Sequence, residues 1–139
     1  MKRDMELIRR ILQHIEDHDS VRAMFDDPSV DQGVLEYHLA LLVDGKMIDG
    51  VEIFRRKGRK GIGVRLDASA WMTSKGHDFL DNSNVAGVWD SVSSRVRDVG
   101  NHVGMSVMVA MLKDSAMRAL KLISHAQASA LGHLQACPM

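Results

Sequence analysis

An α+β fold, with a helix-and-hairpin unit first and a helical extension after it, follows from three features of the sequence. Apolar residues recur at helical spacing over 3–18 and again over 30–45. Across 62–70 the period drops to two. Beyond 82 a spacing of three to four residues returns and holds for most of the remaining chain.

The first helix is predicted over 3–18, with Met5, Ile8, Ile11, Leu12 and Ile15 on one face and Arg9, Arg10, Gln13, Glu16 and Asp17 largely on the other. The acidic run Glu16-Asp17-His18-Asp19 sits where the helix dipole disfavours it, so the helix should fray there. Residues 21–27 read as a short strand or an irregular crossover. Asp27-Pro28-Ser29 is a stop-and-cap signal, and Ser29 with Gln32 fits a capping box. The second helix, 30–45, buries Val34, Leu35, His38, Leu41 and Leu42, with Asp31, Gln32, Glu36, Ala40 and Asp44 expected in solvent. Gly45 or a neighbour ends it.

In IGVRLDASA (62–70), Ile62, Val64, Leu66, Ala68 and Ala70 alternate with Gly63, Arg65, Asp67 and Ser69, the pattern of a half-buried strand. MIDGVEIF (47–54) is its partner, so the segment between them is a hairpin tip with Gly58 and Gly61 as turn residues. Thr73 or Ser74 caps a short helix at 74–81 that buries Phe79 and Leu80, and Asn82-Ser83-Asn84 marks a boundary. Beyond it, Val85, Val88, Trp89, Val92 and Val96 form one stripe. Met105, Met108, Val109, Leu112, Ala116, Ala119, Leu120 and Ile123 form a longer one, with Gly100 and Gly104 between them. The Ala-rich tail, 124–139, reads as a weak helix with a disordered end.

The chain of 139 residues suits one domain, or one small domain with an extension. Aromatics make up only 4% while there are ten Met, so Met and aliphatic residues supply the bulk of the core. The single cysteine, Cys137, excludes an intrachain disulfide and suits a reducing compartment. No secretory leader is recognisable, and the uncharged run from Leu122 is too polar to span a bilayer, so a cytoplasmic location is expected.

Helix, helix, β-hairpin, helix in residues 1–81 resembles a winged-helix unit, with 82–139 as a helical extension. MKRDMELIRRIL at the start, YHLALL and GKMI in the middle, and WMTSKGHDFLDN followed by Val88-Trp89 resemble the bacterial and phage family known as domain of unknown function 2513. The resemblance implies a winged-helix-like fold and carriage on phages and other mobile elements. It brings no activity and no catalytic residues.

The functional question centres on charge. The chain balances 18 Lys+Arg against 18 Asp+Glu, yet Arg55, Arg56, Lys57, Arg59 and Lys60 fall within six positions. Without those five the remainder is acidic, 13 against 18. Together with Arg65 they are the candidate contact residues. Three readings are open: a wing that neutralises phosphates without reading sequence, a protein-facing basic loop, or a solvated tip that only aids solubility. The helix at 30–45 is ill suited to reading a groove, because no Lys or Arg lies between Arg22 and Lys46 and acidic groups would meet phosphates.

Other constellations are weaker. His14 and His18 are one turn apart with Asp17 nearby, but HIEDH lacks the order needed for zinc hydrolysis and a third ligand is missing, so no metal site is expected. His38, on the apolar stripe, reads as a hydrogen-bonded core histidine. No GxSxG, P-loop or dinucleotide fingerprint occurs, and GRKGIG (58–63) precedes a strand instead of opening a helix. No cofactor and no enzymatic activity are expected. Met105, Met108, Val109, Leu112 and Leu120 belong either to an intrachain core or to a symmetric dimer interface.

The sequence thus leads to a non-enzymatic, homodimeric binding protein of phage or mobile-element origin. It is expected to act through protein contacts, for instance as an inhibitor of a host nucleic-acid-handling or CRISPR-type defence complex. A dimeric winged-helix regulator binding duplex DNA is the alternative.

Overall fold

The computed structural model describes residues 3–55, 62–65, 69–99 and 103–135, the side chains of Arg55, Ile62, Ile123 and 125–135 excepted. The fold is α+β. In chain order come α1 (Met5–His18), α2 (Arg22–Phe25), α3 (Gln32–Asp44), β1 (Ile48–Asp49), β2 (Glu52–Arg55), β3 (Ile62–Arg65), β4 (Trp71–Met72), α4 (Ser74–Asn84), α5 (Val88–Asp98) and α6 (Met105–Gln135). The order through β4 is that of a winged helix. The chain divides into two compact units, Met1–Leu80 and Asp81–Met139.

In the first unit, α1 starts at Asp4, whose carboxylate accepts the backbone N–H of Glu6 and Leu7 at 3.0 and 3.2 Å. That satisfies two of the donors every helix start leaves open. Leu7, Ile8, Ile11, Leu12 and Ile15 are buried, while Met5 is half-buried. Asp19, in the left-handed region at φ 50°, ends the helix with its N–H on the Ile15 carbonyl. The 21–27 segment is neither strand nor crossover: residues 22–25 close one helical turn, and Met24 tucks inward.

Helix α3 is the centre of this unit. It packs against α1 on one side and against β1 and β3 on the other. Its cap is Asp31, which accepts the Val34 N–H at 3.0 Å. The expected cap, Ser29, instead donates its N–H and hydroxyl to Asp27 in a local turn. At the other end, the Met47 N–H reaches back to the Leu42 carbonyl and the Lys46 N–H to that of Val43, the Schellman arrangement. The left-handed residue is Lys46, at φ 57°, and not Gly45.

Coverage from both sides changes which residues of α3 reach water. Leu35, Leu39, Leu42 and His38 are fully buried, and Glu36 is buried as well. The expectation of a solvent-facing Glu36 is therefore corrected, and Ala40 is half-buried. His38 holds α3 to α1: its Nε2 accepts the Asp4 N–H at 2.8 Å while Nδ1 donates to the Val34 carbonyl at 2.7 Å. Thr73 joins β4 to the end of α3 by donating its hydroxyl to the Lys46 carbonyl at 2.6 Å, and accepts the Gly76 N–H to cap α4. Helix α4 runs one turn further than expected, to Asn84.

In the second unit, α5 packs against α6. Val88, Trp89, Val92 and Val96 of α5 are buried, as are Met108, Leu112 and Ala116 of α6. Gly104 opens α6, its carbonyl accepting the Met108 N–H. The expected helix in the tail is the continuation of α6, which runs through 124–135; the end expected to be disordered, 136–139, lies outside the described residues. Cys137 lies outside the described residues. Among those described, no helix is long and apolar enough to cross a membrane.

Candidate binding surface on the hairpin

The hairpin is built in two short ladders. Ile48 pairs with Met72 and Asp49 with Trp71. Glu52 then pairs with Arg65, Ile53 with Val64, Phe54 with Gly63 and Arg55 with Ile62. Between the ladders stands Gly50 at φ 83°, a left-handed position that favours glycine. A Cβ there would also fall 2.1 Å from the Ser69 carbonyl oxygen. The ladder is interrupted at this point, and the alternation changes phase across Gly50, so that Ile48 and Val51 are both buried.

Alternation then defines an outer face. Asp49, Glu52, Phe54, Arg65 and Trp71 are exposed, while Ile48, Val51 and Met72 are buried. Phe54 and Trp71 are 45% and 50% exposed, although the whole chain has only six aromatic residues. Each ring lies over a glycine: a Cβ on Gly63 would fall 2.4 Å from Phe54 Cζ, and one on Gly50 2.7 Å from Trp71 Cζ3. Between them the Arg65 guanidinium meets the Glu52 carboxylate at 3.5 Å, with both side chains about two-thirds in solvent. Such a pair contributes less than about 1 kcal/mol, so Arg65 is free to exchange it for another anion.

Of the predicted contact residues, the structure therefore places Arg65 on an exposed face. The Arg55 backbone ends β2; its side chain and all of Arg56, Lys57, Arg59 and Lys60 lie outside the described residues. Phe54 and Trp71 were not singled out from sequence. Their signal was present: each adjoins an inward residue, Ile53 or Ala70, in an alternating segment, which puts the ring outside.

The predicted dimer residues divide. Met108 and Leu112 are buried within the chain itself, so they are unavailable to a partner in this state. Met105 and Val109 are half-buried, and Leu120 is 55% exposed. Met117 and Leu122 join Leu120 as exposed apolar residues on the same stretch of α6.

On α1, the rings of His14 and His18 stand 4.4 Å apart. Burial pushes the His14 pKa below its ordinary value; the neighbouring His18 adds to this and Asp17 opposes it. Its Nε2 is buried without a hydrogen-bond partner among the described residues. Beside it lies an open cleft of about 280 Å³ bordered by Arg10, Gln13, Asp17, Met24 and Asp27. Asp27 is held below the usual carboxylate range, first by the Ser29 hydroxyl, then by the Ser29 N–H and Arg10. Among the described residues no group of three His, Cys, Asp or Glu is placed to hold a metal ion.

The family model described as hypothetical protein (DUF2513) matches residues 2–102, which takes in α1 through α5. No curated protein and no solved structure matches the chain.

Proposed function

The chain belongs to the DUF2513 family, and from that premise we propose that it is a non-enzymatic binding protein acting through protein–protein contacts. In this reading it is carried by a phage or other mobile element, works in the cytoplasm, and inhibits a host nucleic-acid-handling complex of the CRISPR-defence kind. The observation that carries the reading is the coverage of α3. From Val34 to Val43 no residue of it is exposed, and the exposed residues at its ends, Asp31, Gln32, Gly33 and Asp44, include no cation, so the helix that a winged-helix regulator would lay in a DNA groove is poorly equipped to read one. What the unit offers instead is the hairpin's outer face. Aromatic residues and arginine carry much of the energy in protein contacts, and Trp71, Phe54 and Arg65 are all exposed there. The apolar residues left open on α6, Met117, Leu120 and Leu122, suit a second copy of the chain.

The second reading, a duplex-binding regulator, draws on the cation run at 55–60. The two part on one experiment. The purified chain is titrated with plain duplex DNA and, separately, with a reconstituted CRISPR-type effector complex whose cleavage is followed. The proposal expects weak duplex binding and a stable, inhibitory assembly with the effector. Tight duplex binding that falls steeply with salt, with the effector unaffected, replaces it with the regulator.

A further inference from the structure

We propose that two copies of the chain pair through the outer part of α6 as an antiparallel helix pair, in a register that sets Met117 level with Leu134 of the second copy, Leu120 with Leu131 and Ser124 with Gln127. The inference rests on the preceding reading only for the second copy that α6 suits; it gives that contact a direction and a register.

The first observation is length. Helix α5 has 11 residues and α6 has 31. At a rise of about 1.5 Å per residue, α6 outruns its partner by roughly 30 Å. The buried residues of α6, Met108, Leu112 and Ala116, all lie in its first half. From Met117 onward no residue whose side chain is described is buried, and Met117 and Leu120 are 50% and 55% exposed.

The second is the order of residue types. At alternating steps of three and four, the spacing of a helix–helix seam, α6 carries Met117, Leu120, Ser124, Gln127, Leu131 and Leu134 on one stripe. Leu122 lies round the helix from this stripe and takes no part. Two apolar positions, two polar and two apolar read the same from either end. A contact between like copies about a two-fold axis requires such self-complementarity. The polar layer falls at the centre, and a slipped register would set it against leucine, so it fixes the alignment at a cost in affinity. In this register the helix of the second copy ends, at 135, level with Ala116, and so spans the length that α5 leaves open.

The third is charge, which sets the direction. Lys113, Asp114, Arg118 and Lys121 all precede Leu122, and no Asp, Glu, Lys or Arg follows them. Arg118 is already engaged with Asp114 at 3.3 Å. A parallel pair would hold two cationic stretches side by side and align the helix dipoles. The antiparallel pair sets each cationic stretch against an uncharged one and opposes the dipoles.

The test uses the full chain carrying Cys137→Ser. Sedimentation equilibrium is expected to show a monomer–dimer equilibrium. Leu120→Glu, which brings a charge into the seam, weakens the dimer by about tenfold or more. Leu122→Glu, on the other side of the helix, leaves it unchanged. Ser124→Leu combined with Gln127→Leu tightens it, because the polar layer no longer interrupts the seam. Melting temperatures of the dilute variants are compared, so that a folding defect is not read as lost pairing. Direction and register are read by mild oxidation of Leu120→Cys and Leu131→Cys, made separately. Alone, neither gives a disulfide-linked dimer, since equal positions stand about 16 Å apart along the antiparallel pair. Mixed, they do.

A chain that stays monomeric at every concentration and still inhibits the effector would overturn the pairing and leave the proposed function standing. Disulfides in Leu120→Cys alone and in Leu131→Cys alone would overturn it in favour of a parallel pair. A dimer indifferent to Leu120→Glu would overturn it in favour of another face. Disulfides in the mixture only, from a chain without any effect on the effector, support the pairing and remove the proposed function instead.

Discussion

Helix α3 and the outer face of the hairpin are neighbours in space and opposites in kind. Helix α3 carries apolar residues around its circumference and is covered from two sides, by α1 and by the strands. The hairpin presents its apolar residues inward and its charges and two rings outward. In a winged helix, contact with a partner is expected first from the helix. Here burial of the middle of α3 adds to its lack of cations in disfavouring that role, and exposed aromatic and charged groups stand on the strands that pack against it. Substitutions in α3 should therefore act through stability, and substitutions on the hairpin face through binding.

The largest effect belongs to the core of α3. Leu39 is fully buried, and Leu39→Ala should lower unfolding free energy in urea by about 2–5 kcal/mol. An unchanged midpoint would mean that α3 is not enclosed. Next is His38→Ala, which leaves the Asp4 N–H and the Val34 carbonyl without the ring that joins α1 to α3. A loss of about 1–3 kcal/mol is expected, from two part-buried hydrogen bonds and the space left by a buried ring. Smaller and of opposite sign is Lys46→Gly. It relieves the left-handed backbone at φ 57°, and a gain of about 1 kcal/mol should appear as a raised melting temperature.

On the hairpin side, Arg65→Ala removes only an exposed ion pair. Its unfolding curve should overlay the parent within about 0.5 kcal/mol, and a larger shift would blur the division between the two regions. The slightest effect is one of pH. The His14 pKa lies below its ordinary value of 6.5 because burial disfavours the charged ring. On acidification the unfolded chain takes up this proton first. Stability is thus full above pH 6.5 and falls as the pH drops from there through the lower folded value. His14→Gln should flatten that slope in a series of melts, and an identical slope would assign it to other groups.

How much could be read from the sequence follows the same division. Helix α1 was legible because one face is apolar and the other charged. The period-two segment announced the hairpin. Helix α3 was legible as a helix but not as a centre. Glu36 looked like a surface residue, and only the packing of β1 and β3 against the helix puts it inside. Its caps also shifted by local competition: Asp27 engages Ser29, which leaves capping to Asp31. On α6, Met108 and Leu112 carried the same spacing whether α5 or a second copy covered them, and α5 packs there. At the binding face, the cation run drew attention away from Phe54 and Trp71, whose exposure depends on the alternation and on its change of phase at Gly50. Residues 56–61, the centre of the charge argument, lie outside the described residues.

The central claim, that α3 is enclosed while the hairpin face is open, is tested most directly by thiol reactivity. In a chain carrying Cys137→Ser, single substitutions Ala40→Cys and Phe54→Cys are labelled with a maleimide, folded and in urea, and the rates compared. The account predicts that the thiol at position 54 reacts in the folded protein nearly as fast as in the unfolded one, while that at the half-buried position 40 reacts several-fold more slowly. Equal and rapid labelling at both positions would contradict it.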